Sequence, residues 1–275
     1  MSTLAKRIRM IAVSAILAAG AGAASDALAS AGVFTVNPTN GTDNLTNSTL
    51  DPSINASFTS NGLTGTASTQ LTTTNGMTYT AAGYLDYQAF NGTPLNAIQT
   101  GLNAYWGLYV TFSETINCGA AGLAGPCTVS NINLNMYANA HDTDTFNAAT
   151  LTSAASVTGP GPSGDILIGS ANTVEQGTAG IDSLGGAYEN VNTNFTLTTP
   201  AGQALFSAPN PFYSLAFSEF NNTSTGINCN ALGSVCTIND TDTGSTIFNN
   251  TPEPASVAIF GLGLIALTFM RRKSL

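Results

Sequence analysis

The chain has 275 residues, of which 43% are hydrophobic but only 8% charged, with a formal net charge of −9. About a quarter of residues are charged in an ordinary soluble domain. Here Thr, Ser, Asn and Gly take their place, a mix that suits a hydroxyl-rich β protein better than a helical enzyme. All the basic residues lie at the two ends: Lys6, Arg7 and Arg9, then Arg271, Arg272 and Lys273. The stretch between Arg9 and Arg271 holds acids but no Lys or Arg, so it forms no internal Lys or Arg salt bridge and repels nucleic-acid phosphates. Its single-sign field also opposes self-association at low salt, an effect that divalent cations relieve.

Residues 1–29 read as a secretory signal peptide. Basic residues come first, an apolar stretch runs from Met10 to about Ala24, and Ala27-Leu28-Ala29 offers small residues for cleavage before Ser30, with Ala21-Gly22-Ala23 as a competing site. The apolar stretch is short for a membrane span of about 20 residues. The expected partners of this segment are the Sec machinery and signal peptidase.

Residues 30–250 read as a single all-β domain. Strand signals cover Val33 to Val36, Met77 to Thr80 and on toward Phe90, Tyr105 to Glu114, Thr128 to Tyr137, Asp165 to Gly169, Asn190 to Thr198, Tyr213 to Phe220 and Thr246 to Phe248. Ile132, Leu134 and Met136 alternate with Asn131, Asn133 and Asn135, the period of a half-buried strand. Short helices are predicted within Pro94 to Tyr105 and Pro200 to Phe206. The Thr-, Asn- and Ser-rich stretch 37–78 reads as edge strands and long loops. Many short strands with frequent turns predict a β-sandwich or jelly-roll-like domain. The Asn-x-Ser/Thr triplets at Asn40, Asn55, Asn194 and Asn239 read as products of composition.

The four cysteines form two close pairs, Cys118/Cys127 and Cys229/Cys236. Export favours disulfides, and four cysteines allow three connectivities. Local pairing is favoured because each pair closes a short loop, with a stabilisation of roughly 2–3 kcal/mol per bridge in the chain-entropy model. Zinc binding is the alternative, but the tight spacing of zinc knuckles is missing. The two regions echo each other. Phe112-Ser113-Glu114, Ile116-Asn117-Cys118 and Cys127-Thr128-Val129 match Phe217-Ser218-Glu219, Ile227-Asn228-Cys229 and Cys236-Thr237-Ile238, and each set is followed by Asp-Thr-Asp-Thr, at 142–145 and 240–243.

Catalytic patterns are sparse. His141 is the single histidine, and neither Gly-x-Ser-x-Gly nor His-Glu-x-x-His occurs. Without a lysine the body holds no P-loop. Glu114 and Glu219 occupy echoed positions and are the carboxylate pair to weigh for glycoside hydrolysis, against solvent-facing roles near strand ends. Trp106, with Tyr105 or Tyr109, is the candidate for stacking on sugar rings, against a core role. Asp142, Asp144, Asp240 and Asp242 are weak Ca²⁺ candidates, since hard oxygen donors suit that ion. Neither stretch is an EF-hand loop, because Ser153 and Thr251 stand where its twelfth-position Glu belongs.

At the C-terminus, Thr251-Pro252-Glu253-Pro254-Ala255-Ser256 leads into an uncharged run that ends at Met270 and is closed by Arg271, Arg272 and Lys273. Pro252 and Pro254 keep the segment extended, the run 255–270 reads as a transmembrane helix, and the basic tail holds its end in the cytoplasm. This arrangement over 251–275 resembles the PEP-CTERM sorting domain. The resemblance implies that Pro252, Glu253 and Pro254 are recognised by exosortase, a membrane protease-transpeptidase. It also implies that the inner-membrane anchor is transient and that the host is a Gram-negative bacterium making extracellular polysaccharide. Tyr105 to Glu114, Ala179 to Ala187 and Asn210 to Phe217 are similar to flocculation-associated PEP-CTERM proteins. That second resemblance implies a non-enzymatic surface or matrix protein acting with exopolysaccharide in flocs or biofilms. A carbohydrate-binding module is the alternative, and a secreted glycoside hydrolase a more distant one.

Overall fold

The computed structural model describes residues 31–39, 57–181, 185–222 and 227–249. The signal peptide 1–29, Asn40, Asn55, the motif Pro252-Glu253-Pro254, the run 255–270 and the basic tail Arg271, Arg272 and Lys273 lie outside them. No helix among the described residues is long and apolar enough to cross a membrane.

The strands in chain order are β1 (Phe34–Val36), β2 (Phe58–Ser60), β3 (Gly62–Thr72), β4 (Thr78–Asn91), β5 (Gly107–Asn117), β6 (Cys127–Asn139), β7 (Thr145–Asn147), β8 (Ser156–Thr158), β9 (Ile166–Ala171), β10 (Val174–Ile181), β11 (Ala187–Asn194), β12 (Thr196–Leu197), β13 (Phe206–Ala208), β14 (Leu215–Asn222), β15 (Asn228–Cys229) and β16 (Val235–Asn249). Among the described residues, helix is limited to short pieces: α1 (Ala97–Thr100), α2 (Gly161–Gly164), α3 (Pro200–Leu205) and the 3₁₀ segment Gly119–Ala124. A capping box explains α1. Asn96 accepts from the Gln99 N–H, and Gln99 reaches back to the Asn96 N–H.

Strands β3, β4, β5, β6, β10, β11, β14 and β16 each pair antiparallel with the next, and β16 returns to β3. The result is a barrel-like ring in which spatial order follows chain order. This corrects the expected sandwich or jelly roll. Alternating burial along a strand is the same whether two sheets face each other or one sheet closes on itself, so the pattern fixes the faces but not the closure.

Eight strands leave an interior that side chains can fill. Leu63, Leu71, Ala81, Leu85, Tyr87, Val110, Ile116, Ile132, Leu134, Val191, Ile238 and Phe248 are all buried. The stretch read as edge strand and loop contains β3, a central strand. Its buried positions include Gly65, Ala67 and Thr69 between Leu63 and Leu71, small side chains that hardly register as hydrophobic alternation. Their size is required by close approach. A Cβ on Gly65 would stand 2.0 Å from the Asp86 carbonyl oxygen.

The ring has one weak seam. β6 meets β10 through two residue pairs, Thr178↔Thr128 and Ala179↔Cys127, while Leu134 to Ala138 of β6 pair with β9. Both disulfides form with local pairing, Cys118–Cys127 and Cys229–Cys236. They lie at one end of the barrel, where Cys236 opposes Leu71 and Cys118 N–H donates to Met77 O. The chain enters and leaves at the opposite end, where Gly32 N–H donates to Phe248 O at 3.0 Å beside the small sheet β13-β1-β2.

Gly65→Ala is expected to destabilise the protein by about 1–3 kcal/mol, since overpacking meets backbone here. Urea unfolding measures it, and unchanged stability would contradict the close β3–β4 approach.

Candidate functional site

Inside the barrel, β5 contributes Glu114 and β11 contributes Glu189. Two strands of the ring, β6 and β10, separate them, so the pair spans the lumen across the seam. The seam residue Ala179 stands opposite both Cys127 and Glu189. Glu114 is 3% exposed. Neither of its carboxyl oxygens has a hydrogen-bond partner in the geometry of the described residues, and the charged group that acts on it is the Glu189 carboxyl. Two carboxyl groups can bond to each other only if one keeps its proton.

Burial raises the pKa of Glu114 well above the usual range, and the charge and hydrogen bond of Glu189 raise it further. Burial also raises that of Glu189, while the hydrogen bond from Glu114 draws it back. Both shifts point upward, so the pair is expected to share one proton between its two carboxyls. By surface area Glu189 is half-buried, yet protein surrounds it. It lines two voids in the lumen, of about 20 and 50 Å³. At roughly 10–15 Å³ for a water, these admit a few waters and no sugar.

A second acidic group lies on the outer face of the barrel. Asp142 and Asp144 stand on the β6–β7 loop, which Asn139 shapes by accepting the His141 and Thr143 N–H groups at 2.9 and 3.2 Å. Asp86 from β4 and Asp165 before β9 join them. Burial, then the charges of Asp142 and Asp144, push Asp86 up to about 7. Burial, then the hydrogen bond with Asp144, push Asp165 up to about 7, although Tyr109 and Asn139 donate to it at 2.6 and 3.1 Å. Asp144 accepts from Gly161 N–H at 2.9 Å through Oδ1, and its buried Oδ2 lacks a donor among the described residues.

Sequence reasoning singled out Asp142 and Asp144 but missed Asp86 and Asp165, which arrive from distant strands. Among the described residues no three His, Cys, Asp or Glu side chains are grouped so as to hold a metal ion. The calcium expectation therefore gains no ligand set there. Asp240 and Asp242 lie in β16, where the register with β3 shifts between Asp240 and Gly244, so their setting is a strand and not a loop like that of Asp142 and Asp144.

The other candidates separate. Trp106 is 1% exposed and donates its Nε1–H to the Thr100 carbonyl at 3.1 Å, and Tyr109 is buried. The core role weighed against sugar stacking is the one Trp106 takes, since it bonds to the end of α1 and packs against Phe90. The carboxyl that meets Glu114 is that of Glu189, while the backbone of Glu219 pairs in register with Asn190 and Ser245. Glu189 carried no sequence signal, because only closure of the ring brings β11 across from β5. Asn194 and Asn239 are engaged. Asn194 Oδ1 accepts from Asn172 and Thr173 N–H, and Asn239 Nδ2 donates to Ala149 O.

Residues 250–273 match the family of the PEP-CTERM protein-sorting motif. The chain carries a PEP-CTERM protein-sorting motif. No curated protein and no solved structure matches it. The PEP-CTERM motif implies an exported protein with a C-terminal membrane anchor that exosortase processes.

Among the described residues every carboxyl shift resolved is upward: Asp86, Glu114, Asp142, Asp165 and Glu189. A raised folded pKa contributes stability below the unfolded value, about 4, and loses it as pH rises through the folded value. Thermal stability is thus expected to be highest in mild acid and to fall through about 7, where Asp86 and Asp165 titrate. Glu114→Gln keeps a donor to Glu189 without the second ionisation. It should match wild type at pH 5 within about 1 kcal/mol and lose less stability by pH 9. Parallel pH profiles for the two proteins would contradict the shared proton.

Proposed function

We propose that this PEP-CTERM protein is a non-enzymatic cell-surface or extracellular-matrix component of a Gram-negative bacterium, adhesive in floc or biofilm formation with exopolysaccharide. The observation that carries the reading is the sorting motif at 250–273 attached to a body without Lys or Arg. A motif of this kind directs the chain through the membrane and to exosortase. The body that remains is a stapled barrel whose lumen is filled and whose acids have no basic side chain to meet. Neutral glycans, cations and other proteins are the partners such a surface tolerates, and Ca²⁺ fits as a counter-ion between acidic surfaces.

Support also comes from how the barrel is built. Both chain ends leave it side by side at one end, and both disulfides close loops at the other. Tethering by one end leaves the stapled end free to meet other molecules. The interior carboxyl pair has the residue types of a glycosidase, but the voids beside it are too small for a sugar, which favours a structural role.

Deleting the gene is expected to weaken aggregation. Re-expression of the wild-type chain should restore it, while a chain carrying Pro252→Ala, Glu253→Ala and Pro254→Ala should stay unprocessed in the membrane and fail to restore it. Undiminished settling after clean deletion would contradict the adhesive role.

A further inference from the structure

A cavity lies outside the barrel, at the end where the chain enters and leaves. It has a volume of about 350 Å³, near the lower end of the ~300–1,000 Å³ range of small-molecule sites. It is built by the excursion between β11 and β14, a segment that an up-and-down ring does not need for closure. β12, α3 and β13 form its walls, and residues 209–214 form its rim.

One side is aromatic. Phe206 and Phe212 stack at 5.4 Å, and Phe212 also meets Phe195 and Tyr213 edge-on at 6.2 and 5.4 Å. Phe195 and Phe206 are core residues, whereas Phe212 and Tyr213 remain half-exposed. Tyr213 is held in place. Its hydroxyl donates to Val33 O at 2.8 Å, and it lies so close over Gly32 that a Cβ there would stand 2.4 Å from the ring. The wall therefore needs no ordering when a ligand arrives, which lowers the cost of binding.

The other side is polar and uncharged. Gln203, Ser207 and Asn210 are exposed, and their side chains have no hydrogen-bond partner among the described residues. A side-chain amide offers both an acceptor and two donors. Sugar hydroxyls, which donate and accept at once, match that pattern. No Asp, Glu or His lines the cavity, and the body has no Lys or Arg. An anionic ligand would find no counter-charge here and would meet the acidic field of the whole body.

We propose that this cavity binds a neutral saccharide, with the apolar face of a sugar ring against Phe212 and Tyr213 and its hydroxyls toward Gln203 and Asn210. The proposal rests on the surface-display reading only for where such a glycan is met; the binding itself belongs to the folded protein. It places sugar recognition where the sequence did not. Trp106 is enclosed, while the segment 203–213 combines unpaired amides with a fixed aromatic wall.

The test is titration of the purified full chain with glucose, galactose, mannose, N-acetylglucosamine and cellobiose, followed by saturation-transfer NMR and calorimetry, with alginate as an anionic control. At least one neutral sugar is expected to bind saturably, with an affinity that does not change with salt because no charge is involved. Gln203→Ala and Asn210→Ala, both at exposed positions, should each weaken binding about 2- to 10-fold, the equivalent of one hydrogen bond. Alginate should not bind. Failure of all five sugars to bind, or binding undiminished in the double variant, would overturn the proposal. Neither result would touch the display reading, which fails instead if export and processing do not occur.

Discussion

The contact between Glu114 and Glu189 crosses the barrel at its weakest point. β6 and β10 share only two residue pairs, and the two glutamates face each other over that seam from β5 and β11, the next strand out on each side. A buried carboxylate elsewhere would be met by a Lys or Arg, but between Arg9 and Arg271 there is none. The charge can be reduced only by retaining a proton, and a retained proton turns two repelling groups into a hydrogen-bonded pair. The buried Cys118–Cys127 disulfide anchors the same place, because Cys127 is itself a seam residue. Closure at this point is thus expected to draw on one shared proton and on one covalent bridge placed near it.

The same constraint shapes the outer face. Asp86, Asp144 and Asp165 are held by Gln88, Gly161, Tyr109 and Asn139, all neutral donors, which orient the carboxylates without cancelling their charge. Ion pairs are replaced by amides, hydroxyls and protons. Such a surface keeps its net negative charge and resists nonspecific binding to anions. The loops do not weaken the fold, because the excursion 140–165 is fixed to the barrel through Phe146, which packs on Tyr84 and Tyr109, and through Ser68, whose hydroxyl accepts from Ala149 N–H.

Much of this was legible in the residues. The alternation through Asn131 to Met136 marks β6, and the echoed Phe-Ser-Glu and cysteine segments correspond to two strand–stapled loop–strand units on one end of the barrel. What stayed hidden has a common cause. β3 carries small residues because β4 lies close against it, so the packing that makes it central also removes its hydrophobic signal. Closure of the sheet, the meeting of Glu114 with Glu189 and the gathering of four aspartates all depend on which strands become neighbours across the ring. Local periodicity holds no record of that. The sorting motif was readable because its parts are consecutive and their order carries the meaning.

The retained proton is the central claim, and infrared spectroscopy observes it directly. A difference spectrum between the wild-type protein and Glu114→Gln at pH 7 should show the carbonyl stretch of a protonated carboxylic acid in the wild type alone. The substituted amide would leave Glu189 as an ionised acceptor, and subtraction removes the contribution of the outer aspartates common to both. A difference spectrum with no protonated-carboxyl band would mean that both glutamates are ionised in the lumen, and barrel closure could not rest on a shared proton.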